Sequence, residues 1–289
     1  MASLNARSTF SDRGAEMTTG PTEFDPAMRE ADETVLEEAS DFAFIAWTIT
    51  DEIATVVLNR PPVNAVNQRM YREIHKLFSR ADTFLAGAVV VVVVADGKHF
   101  CAGNDMGEFA TMTSNNARER MYHAREAFYA IMDCPLPTIA AIQGVAVGTG
   151  IGIASSCDII IAADDARIGL PEVKVGVMGG PRHLARMLPQ HIVRYMFLTG
   201  ELMPAPEMAR LGGILEAVPP EQLRTRALEI AALIVRHNPD VLRAAKKAMN
   251  DVEEMPLRSG YELEQSRTLE LTDHPDRVRS VQGIVGKGP

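Results

Sequence analysis

Residues 138–162 read TIAAIQGVAVGTGIGIASSCDIIIA, and they contain the pattern that is most informative about the fold. The apolar segments 138–142 and 159–162 have the length and the β-branched content of buried strands. Between them, a glycine-rich turn leads into a short helix that is predicted at 151–156. Two buried strands joined through a helix predict a parallel pair with a crossover connection.

The same order continues on both sides of this stretch. Further strands are predicted at 43–47, 53–58 and 89–95, and helices at 70–85 and 117–132. The repetition of strand, strand and helix predicts an α/β fold with a largely parallel sheet. From 204 to about 271 the pattern becomes wholly helical. We therefore divide the chain into residues 1–40, a core at 41–203 and a C-terminal helical region at 204–289.

Length and composition exclude several classes of protein. The 289 residues suffice for one large domain, or for a domain with an appendage. The longest apolar run, 86–95, is shorter than the ~18–20 residues that span a bilayer, so no membrane partner is predicted. Cys101, Cys134 and Cys157 lie far apart, without the spacing of a metal site or a disulfide framework. They fit a reducing cytosol, and a cytoplasmic location is expected.

The net charge of −9 is unevenly distributed. Residues 1–40 contain nine acidic residues and three arginines, a balance of −6, which leaves −3 for the other 249 residues. This tail has few large apolar groups to bury, and its composition predicts a mostly disordered acidic segment. The nearly neutral remainder has no basic footprint of the kind that binds nucleic acid.

The first candidate site segment reads HFCAGNDM at 99–106, after the predicted strand 89–95. The small residues Ala102 and Gly103 let a ligand approach the backbone closely. Asp105 and Glu108 form a D-x-x-E capping box, which predicts a helix start, and amides just before such a start are free to donate to an anion. An ordinary strand-to-helix turn is the alternative.

The second and third candidate segments add a further turn and a carboxylate. QGVAVGTG at 143–150 also follows a strand and precedes a helix, so the two turns together could present a pair of N–H donors to one developing oxyanion. In IGLPE at 168–172, Glu172 follows Pro171 in an apolar setting. Partial burial would raise its pKa and suit it to proton transfer, whereas a surface carboxylate in a loop is the alternative.

In this order, the segments resemble the enoyl-CoA hydratase/isomerase (crotonase) family from about 47 to about 271. NRPPVNA at 59–65 resembles its first coenzyme A loop, and FCAGND at 100–105 its first oxyanion motif. GVAVGTG at 144–150, CD at 157–158 and GLPE at 169–172 resemble its core signature. The resemblance implies a crotonase-like spiral of ββα units, with C-terminal helices that build a homotrimer or a dimer of trimers.

The resemblance also implies the chemistry. The substrate would be an acyl-CoA thioester, with coenzyme A brought in by the substrate and neither a permanently bound cofactor nor a metal. The backbone N–H groups of Asn104 and Thr149 would bind the oxyanion, and Glu172 would be the acid/base. The residues implied to contact coenzyme A are Asn64, Ala65, Ala102, Gly103, Asp105, Met106 and Gly148. The candidates for an apolar acyl pocket are Met106, Phe109, Met112, Met121 and Phe128.

The chain departs from the family's hydratases, which use two glutamates. Gly152 stands at the first of those positions, so Glu172 is the single glutamate retained. The stretch that follows Glu172, 173–181, is about three residues shorter, and 282–289 lack the family's common aromatic and basic tail. A second group for proton transfer would have to come from His183, Arg182 or Glu264.

Several functions therefore remain open at this point. They are an isomerase or lyase with Glu172 as sole acid/base, a hydratase with a replaced first acid, and a non-catalytic or differently specialised binding protein of the same fold. Retention of Glu172 and of both amide turns disfavours a non-catalytic protein, and the near-neutral body disfavours an RNA-binding relative. A hydrolase with a nucleophilic triad is disfavoured because Ser155 and Ser156 have no traceable His–Asp pair.

Overall fold

The computed structural model describes residues 41–273, 275, 277–279 and 282. The predicted disordered tail, 1–40, and almost all of 282–289 lie outside the described residues. The strands are β1 (Ile45–Thr50), β2 (Ile53–Leu58), β3 (Val90–Ala95), β4 (Thr138–Ile142), β5 (Val145–Val147), β6 (Ile159–Ala163), β7 (Arg167–Gly169), β8 (Met203–Pro204) and β9 (Glu216–Val218).

The helices alternate with these strands. They are α1 (Gln68–Ser79), α2 (Ala81–Phe84), α3 (Met106–Phe109), α4 (Ala117–Met132), α5 (Thr149–Ser155), α6 (Pro181–Leu184), α7 (Gln190–Thr199), α8 (Ala205–Arg210), α9 (Leu223–Val235), α10 (Pro239–Val252) and α11 (Leu257–Glu270). Two short 3₁₀ segments lie at Pro171–Val175 and Pro220–Gln222. Among the described ranges, every helix falls short of the length and apolar character that crossing a bilayer requires.

The main sheet has six strands in the order β1-β2-β3-β4-β6-β9. β1 and β2 form an antiparallel hairpin, and the later pairs are parallel. The hairpin turns at Asp51 and Glu52, whose φ angles of 51° and 62° are both left-handed, as in the tight turns that match strand twist. β1 begins two residues later than predicted and continues to Thr50. The predicted α/β class is confirmed.

The valine run forms the centre of this sheet. β3 has parallel neighbours on both sides, and its residues Val90–Val93 are fully buried. A strand covered on both faces tolerates no alternation of polar and apolar residues, which explains the uninterrupted β-branched sequence. α9 packs across β2, β3, β4 and β6 and supplies part of the cover.

The helix predicted at 70–85 is two helices in the structure. α1 begins earlier, because the Asn67 side chain caps it by accepting from the N–H of Met70 at 2.8 Å. α1 packs against α4 and buries Met70, Ile74, Leu77 and Phe78. At Arg80 the backbone leaves helical values, with φ −121° and ψ 34°, and α2 follows as a separate turn.

A small second sheet, β5-β7-β8, carries two of the candidate site segments. β5 and β7 run parallel, with Ala146 opposite Ile168. β5 leads directly into α5, which begins at Thr149, two residues before the predicted start, and β7 leads into Pro171 and Glu172. The pairing of β5 with β7 therefore brings the second turn and the carboxylate to the same end of the sheet.

The prediction that 204–271 is wholly helical is wrong at Pro204, which ends β8, and at a second place. Residues Glu216–Val218 form β9, which pairs parallel to β6 with Ala217 opposite Ala162 and extends the main sheet. Three residues are too few to show a period, so the strand is set by the exposed edge of β6 rather than by local pattern. The other elements of this region are helical, as predicted.

Candidate active site

The first amide turn is held between two short parallel bridges. Asn104 lies opposite Val66, and Cys101 lies opposite Ala146. The N–H of Val66 donates to Gly103 O, and the N–H of Asp105 donates to Val66 O. In a parallel bridge, the residue whose two chain neighbours form the hydrogen bonds points its own N–H away from the partner strand. The amide of Asn104 therefore faces away from Val66.

The 59–65 loop is fixed to the end of β3 by Asn64. Its Oδ1 accepts from Arg60 N at 2.7 Å, and its Nδ2 donates to the carbonyl oxygens of Asp96 at 2.8 Å and His99 at 2.9 Å. Ala65 O accepts from Arg60 Nη1 at 2.7 Å. The Asn64 side chain thus holds the loop in place.

Asp105 starts α3, as the capping box predicts. Its Oδ1 accepts from the Glu108 N–H at 2.9 Å, while its Oδ2 lies 2.5 Å from Arg60 Nη2. The Glu108 N–H and the Arg60 guanidinium hold the pKa of Asp105 below its usual range. The Glu108 carboxylate does not close the box; it accepts from the N–H of Gln68 at 2.8 Å and so ties α3 to α1. Met106, predicted to contact coenzyme A, is 57% exposed.

The second amide turn passes through Gly148. Its φ of 55° with ψ of −111° is a conformation that side chains disfavour. A methyl group on Gly148 would stand 2.7 Å from Glu172 Oε1 and 3.6 Å from Gly103 Cα. A methyl group on Gly103, whose φ is 96°, would stand 3.5 Å from Val147 O. The two turns and the Glu172 carboxylate therefore meet in one place. Glycine is favoured at 148 by this close approach and by its positive φ, and at 103 by its positive φ.

The amides of Asn104 and Thr149 are both unengaged. Within the described part of the chain, neither N–H donates a hydrogen bond to a protein acceptor. Thr149 is the first residue of α5, where amides have no acceptor within the helix. Two unengaged donors on converging turns can bind one oxyanion.

Glu172 is only half-buried, but one of its oxygens is fully enclosed. Oε2 has no hydrogen-bond partner among the described residues. Burial raises the pKa of Glu172, and the residue's own backbone N–H opposes that shift in part. A carboxylate with a raised pKa and an unused acceptor oxygen is suited to take up a proton and to return it.

A cavity of about 190 Å³ lies between the turns and Glu172. It is lined by Ala102, Gly103, Asn104, Met106, Phe109, Val147, Gly148, Pro171, Glu172, Lys174, Val175 and Val177. The lining is mainly apolar, as predicted, and Met106 and Phe109 belong to it. The other three predicted pocket residues, Met112, Met121 and Phe128, do not line it, and Met121 is 59% exposed.

The space beside Gly152 is filled by Phe128. A Cβ on Gly152 would lie 2.4–2.7 Å from three atoms of the Phe128 ring. The ring also packs edge-on against His183 at 5.0 Å, and His183 Nδ1 lies 3.3 Å from Ser155 Oγ. Burial and the nearby Arg186 and Arg182 lower the pKa of His183. His183 is therefore packed behind Phe128 as a neutral ring.

The other two candidates for a second acid/base lie at the surface. Arg182 forms an ion pair with Glu254, and both side chains are largely exposed. Glu264 is exposed on α11. Neither residue lines the cavity beside Glu172.

The Cys-Asp pair at 157–158 has a structural role. Asp158 Oδ2 accepts from Thr138 N at 2.7 Å and pairs with Lys246 Nζ at 2.8 Å, and the buried Lys246 also donates to Leu136 O. These contacts attach α10 to the start of β4. Cys101, Cys134 and Cys157 are buried and free. The described residues contain no group of side chains suited to a metal ion.

Sequence reasoning missed Tyr71. Its hydroxyl lies 2.7 Å from Asn104 Oδ1 and 2.6 Å from Thr149 Oγ1, so it bridges the two residues whose amides are unengaged. In the sequence, Tyr71 stands beside Met70 on the buried face of α1. The available signal was that a buried tyrosine hydroxyl needs a polar partner, but the pattern did not show which one.

Comparison with known proteins gives concordant matches. Residues 48–289 match the sequence profile described as enoyl-CoA hydratase/isomerase. A Rhodococcus jostii "(7aS)-7a-methyl-1,5-dioxo-2,3,5,6,7,7a-hexahydro-1H-indene-carboxyl-CoA hydrolase" is 38% identical over 76% of this chain and 86% of its own. The Escherichia coli 2,3-dehydroadipyl-CoA hydratase is 30% identical over 81% of this chain and 92% of its own. The crystal structure of a Bacillus anthracis enoyl-CoA hydratase superposes with TM-score 0.80 at 28% identity, covering 84% of this chain and 96% of that one.

Proposed function

The chain belongs to the enoyl-CoA hydratase/isomerase family, and from this premise we propose that it converts an acyl-CoA thioester through an enolate, with Glu172 as its single acid/base. The backbone N–H groups of Asn104 and Thr149 bind the thioester oxygen. The observation that carries the proposal is the position of the Glu172 carboxylate beside the point where the two turns meet, with its enclosed Oε2 lacking a hydrogen-bond partner among the described residues.

The proposed chemistry uses one proton carrier. As the thioester enolises, negative charge moves onto its oxygen, where two preorganised amides stabilise it. The Glu172 carboxylate removes a proton from a substrate carbon, which forms the enolate, and it returns a proton to carbon when the enolate collapses. Gly152 has no side chain and Phe128 fills the space beside it, so no second carboxylate stands at that position. This arrangement favours a reaction that one carboxylate can complete, such as movement of a double bond.

Hydrolysis is the second candidate function, and the Rhodococcus relative favours it. Glu172 would take a proton from water, the hydroxide would add to a carbonyl carbon of the substrate, and the bond to the leaving carbon would break. The leaving carbon would depart as an enolate bound by the same two amides, and Glu172 would return the proton to it. A single carboxylate suffices for this sequence, as it does for isomerisation.

We propose further that the acyl group is apolar, that coenzyme A is bound along the 59–65 loop and the Ala102–Met106 turn, and that the protein is a homotrimer or a dimer of trimers. The apolar lining of the cavity by Met106, Phe109 and Val177 supports the first point. The resemblance of 59–65 and 100–105 to family motifs supports the second. Family membership supports the third.

Turnover in water labelled with ¹⁸O distinguishes the reactions. A panel of enoyl-CoA and 3-oxoacyl-CoA thioesters is incubated in H₂¹⁸O and, separately, in heavy water, and the products are analysed by mass spectrometry. Isomerisation introduces deuterium without ¹⁸O. Hydration introduces ¹⁸O into an intact thioester, and hydrolysis introduces ¹⁸O with cleavage of the chain or release of coenzyme A. The absence of both isotopes from every thioester, in a protein that also binds none of them, would refute the proposal.

A further inference from the structure

The hydroxyl of Tyr71 joins the side chains of Asn104 and Thr149, the two residues whose backbone amides are proposed to bind the oxyanion. It lies 2.7 Å from Asn104 Oδ1 and 2.6 Å from Thr149 Oγ1, across sequence separations of 33 and 78 residues. Tyr71 itself is only 2% exposed. The contact is therefore a tertiary bridge inside the core.

The order of donors in this bridge follows from the hydrogen atoms available. Asn104 Oδ1 can only accept, so the single hydroxyl hydrogen of Tyr71 is donated to it. The Thr149 hydroxyl must then donate to the Tyr71 oxygen. The bridge is a directed chain from Thr149 through Tyr71 to Asn104. Burial raises the pKa of Tyr71 well above its usual value, so the phenol keeps its hydrogen throughout the working pH range.

The tyrosine is itself firmly held. α1, which carries it, is capped by Asn67 and is tied to α3 through the hydrogen bond from Gln68 N to the Glu108 carboxylate. The Tyr71 ring packs edge-on against Phe128, with 6.0 Å between centroids. A residue held in this way can transmit the position of α1 to both amide turns.

We infer that Tyr71 is a positioning residue that sets the separation and direction of the two oxyanion donors. Fixing the side chains of Asn104 and Thr149 to one hydroxyl restricts rotation of the backbone at both residues, and therefore the aim of both N–H groups. Catalysis by such donors depends on their being in place before charge develops. The inference rests on the proposed function and deepens it.

Tyr71→Phe tests the inference because it keeps the ring and removes only the hydroxyl. The probe is butyryl-CoA labelled with ¹³C at the thioester carbonyl, which has no double bond to react. Two readouts follow the oxyanion site: the infrared frequency of the bound carbonyl, and the rate at which its α-hydrogens exchange with heavy water. A residue with a purely structural role would change the melting temperature and leave the carbonyl frequency unchanged.

The wild-type carbonyl band should move to lower frequency on binding. In Tyr71→Phe the band should return toward its free value, and α-exchange should slow on the order of tenfold, the usual effect of one lost hydrogen bond. Thr149→Val should change the band and the exchange rate in the same way as Tyr71→Phe. Because the two hydroxyls belong to one hydrogen-bonded chain, the Tyr71→Phe/Thr149→Val protein should show changes no larger than those of the more impaired single variant. Thr149→Ser should recover most of the band shift lost in Thr149→Val, and Tyr261→Phe, at an exposed position on α11, is the control.

The outcomes separate this inference from the function on which it rests. Suppose that the wild-type band shifts on binding and that Tyr71→Phe shows the same shift and the same exchange rate. The role of Tyr71 would then be overturned, while the proposed function would stand. Losses that add up in the double variant would overturn the role of Tyr71 as well. A wild-type protein that binds butyryl-CoA without any band shift would refute the oxyanion site, and this inference with it. Should Tyr71→Phe not fold, the comparison of Thr149→Val with Thr149→Ser decides the matter.

Discussion

The ring of Phe128 occupies the place where a side chain on Gly152 would have to begin. A Cβ at Gly152 would stand 2.4 Å from Phe128 Cζ, a distance that real Cβ atoms essentially never show. Where the family resemblance implies a carboxylate at 152, this chain therefore has an aromatic ring from α4. Restoring an acid at this position requires a second change that removes the ring.

Gly152→Glu alone should destabilise the protein without adding hydration. Overpacking of a filled site costs about 1–3 kcal/mol, and here the neighbour is an aromatic ring rather than the end of a flexible chain. Phe128→Ala/Gly152→Glu should be destabilised by less than the sum of its single variants, because the new side chain fills the space that the ring leaves. Urea unfolding of the four proteins measures the coupling, and an enoyl-CoA hydration assay on each measures any gain. Additive losses would show that Phe128 does not occupy the position of the missing acid.

Glu172→Gln should keep thioester binding and lose turnover by at least ~100-fold, the usual size of an acid/base contribution. The amide is nearly isosteric but cannot carry a proton, and the Asn104 and Thr149 amides remain to polarise the thioester. Glu221→Gln, in the exposed Pro220–Gln222 segment, is the matched control and should leave turnover unchanged. Isothermal titration and steady-state kinetics report the two quantities. Near-normal turnover in Glu172→Gln would assign the proton to another group.

The pH dependence of kcat/KM should report the burial of Glu172. An ordinary glutamate has a pKa of about 4.3. Because burial raises the pKa of Glu172, its carboxylate becomes protonated at a higher pH than that. The base form is lost as the pH falls through the raised pKa, so activity should decline on the acid side at a pH above that value. The measurement is kcat/KM for one thioester from pH 4 to 8. An acid limb at or below about 4.3 would contradict the desolvated environment.

The stability of the fold should also depend on pH through Glu172. Activity needs its deprotonated form, whereas folding is favoured by its protonated form. A carboxyl with a raised pKa in the folded state favours folding in its protonated form, and that contribution is present below the unfolded pKa and lost as the pH rises through the folded one. Glu172→Gln should therefore be more stable than the wild type at neutral pH, and the difference should vanish below about pH 4. Thermal unfolding of both proteins across this range checks the sign. Equal stability at neutral pH would indicate that Glu172 is well solvated.

Asp158→Ala should destabilise the fold by on the order of 3 kcal/mol, because it leaves the buried Lys246 ammonium without its carboxylate. Lys246→Met should cost less, since the methionine side chain can pack where the stem of the lysine lies. The Asp158→Ala/Lys246→Met protein should be more stable than Asp158→Ala alone. Urea unfolding of the three variants gives the comparison. If Asp158→Ala and Asp158→Ala/Lys246→Met lose the same free energy of unfolding, the ion pair does not hold α10 to β4.

The central strands and the two amide turns could be predicted from the amino-acid sequence. The valine run predicts a strand buried on both faces, as β3 is. The glycines of the two turns allow the backbone to come close to a ligand, and in the structure Gly103 and Gly148 have φ angles of 96° and 55°. The apolar setting of Glu172 after Pro171 likewise indicated a raised pKa, which the structure bears out. These features are encoded locally, because each follows from a side chain's own conformational preference or from its immediate neighbours.

Contacts between side chains that are distant in sequence could not be predicted and became visible in the packed fold. β9 exists because the edge of β6 accepts it, Phe128 fills the space beside Gly152 from another helix, and Tyr71 reaches Thr149 across 78 residues. Periodicity shows that a position faces the core but not which residue it meets there. The partner is fixed by how helices stack on the sheets, and the bridge between the two oxyanion turns is therefore a property of the packed fold.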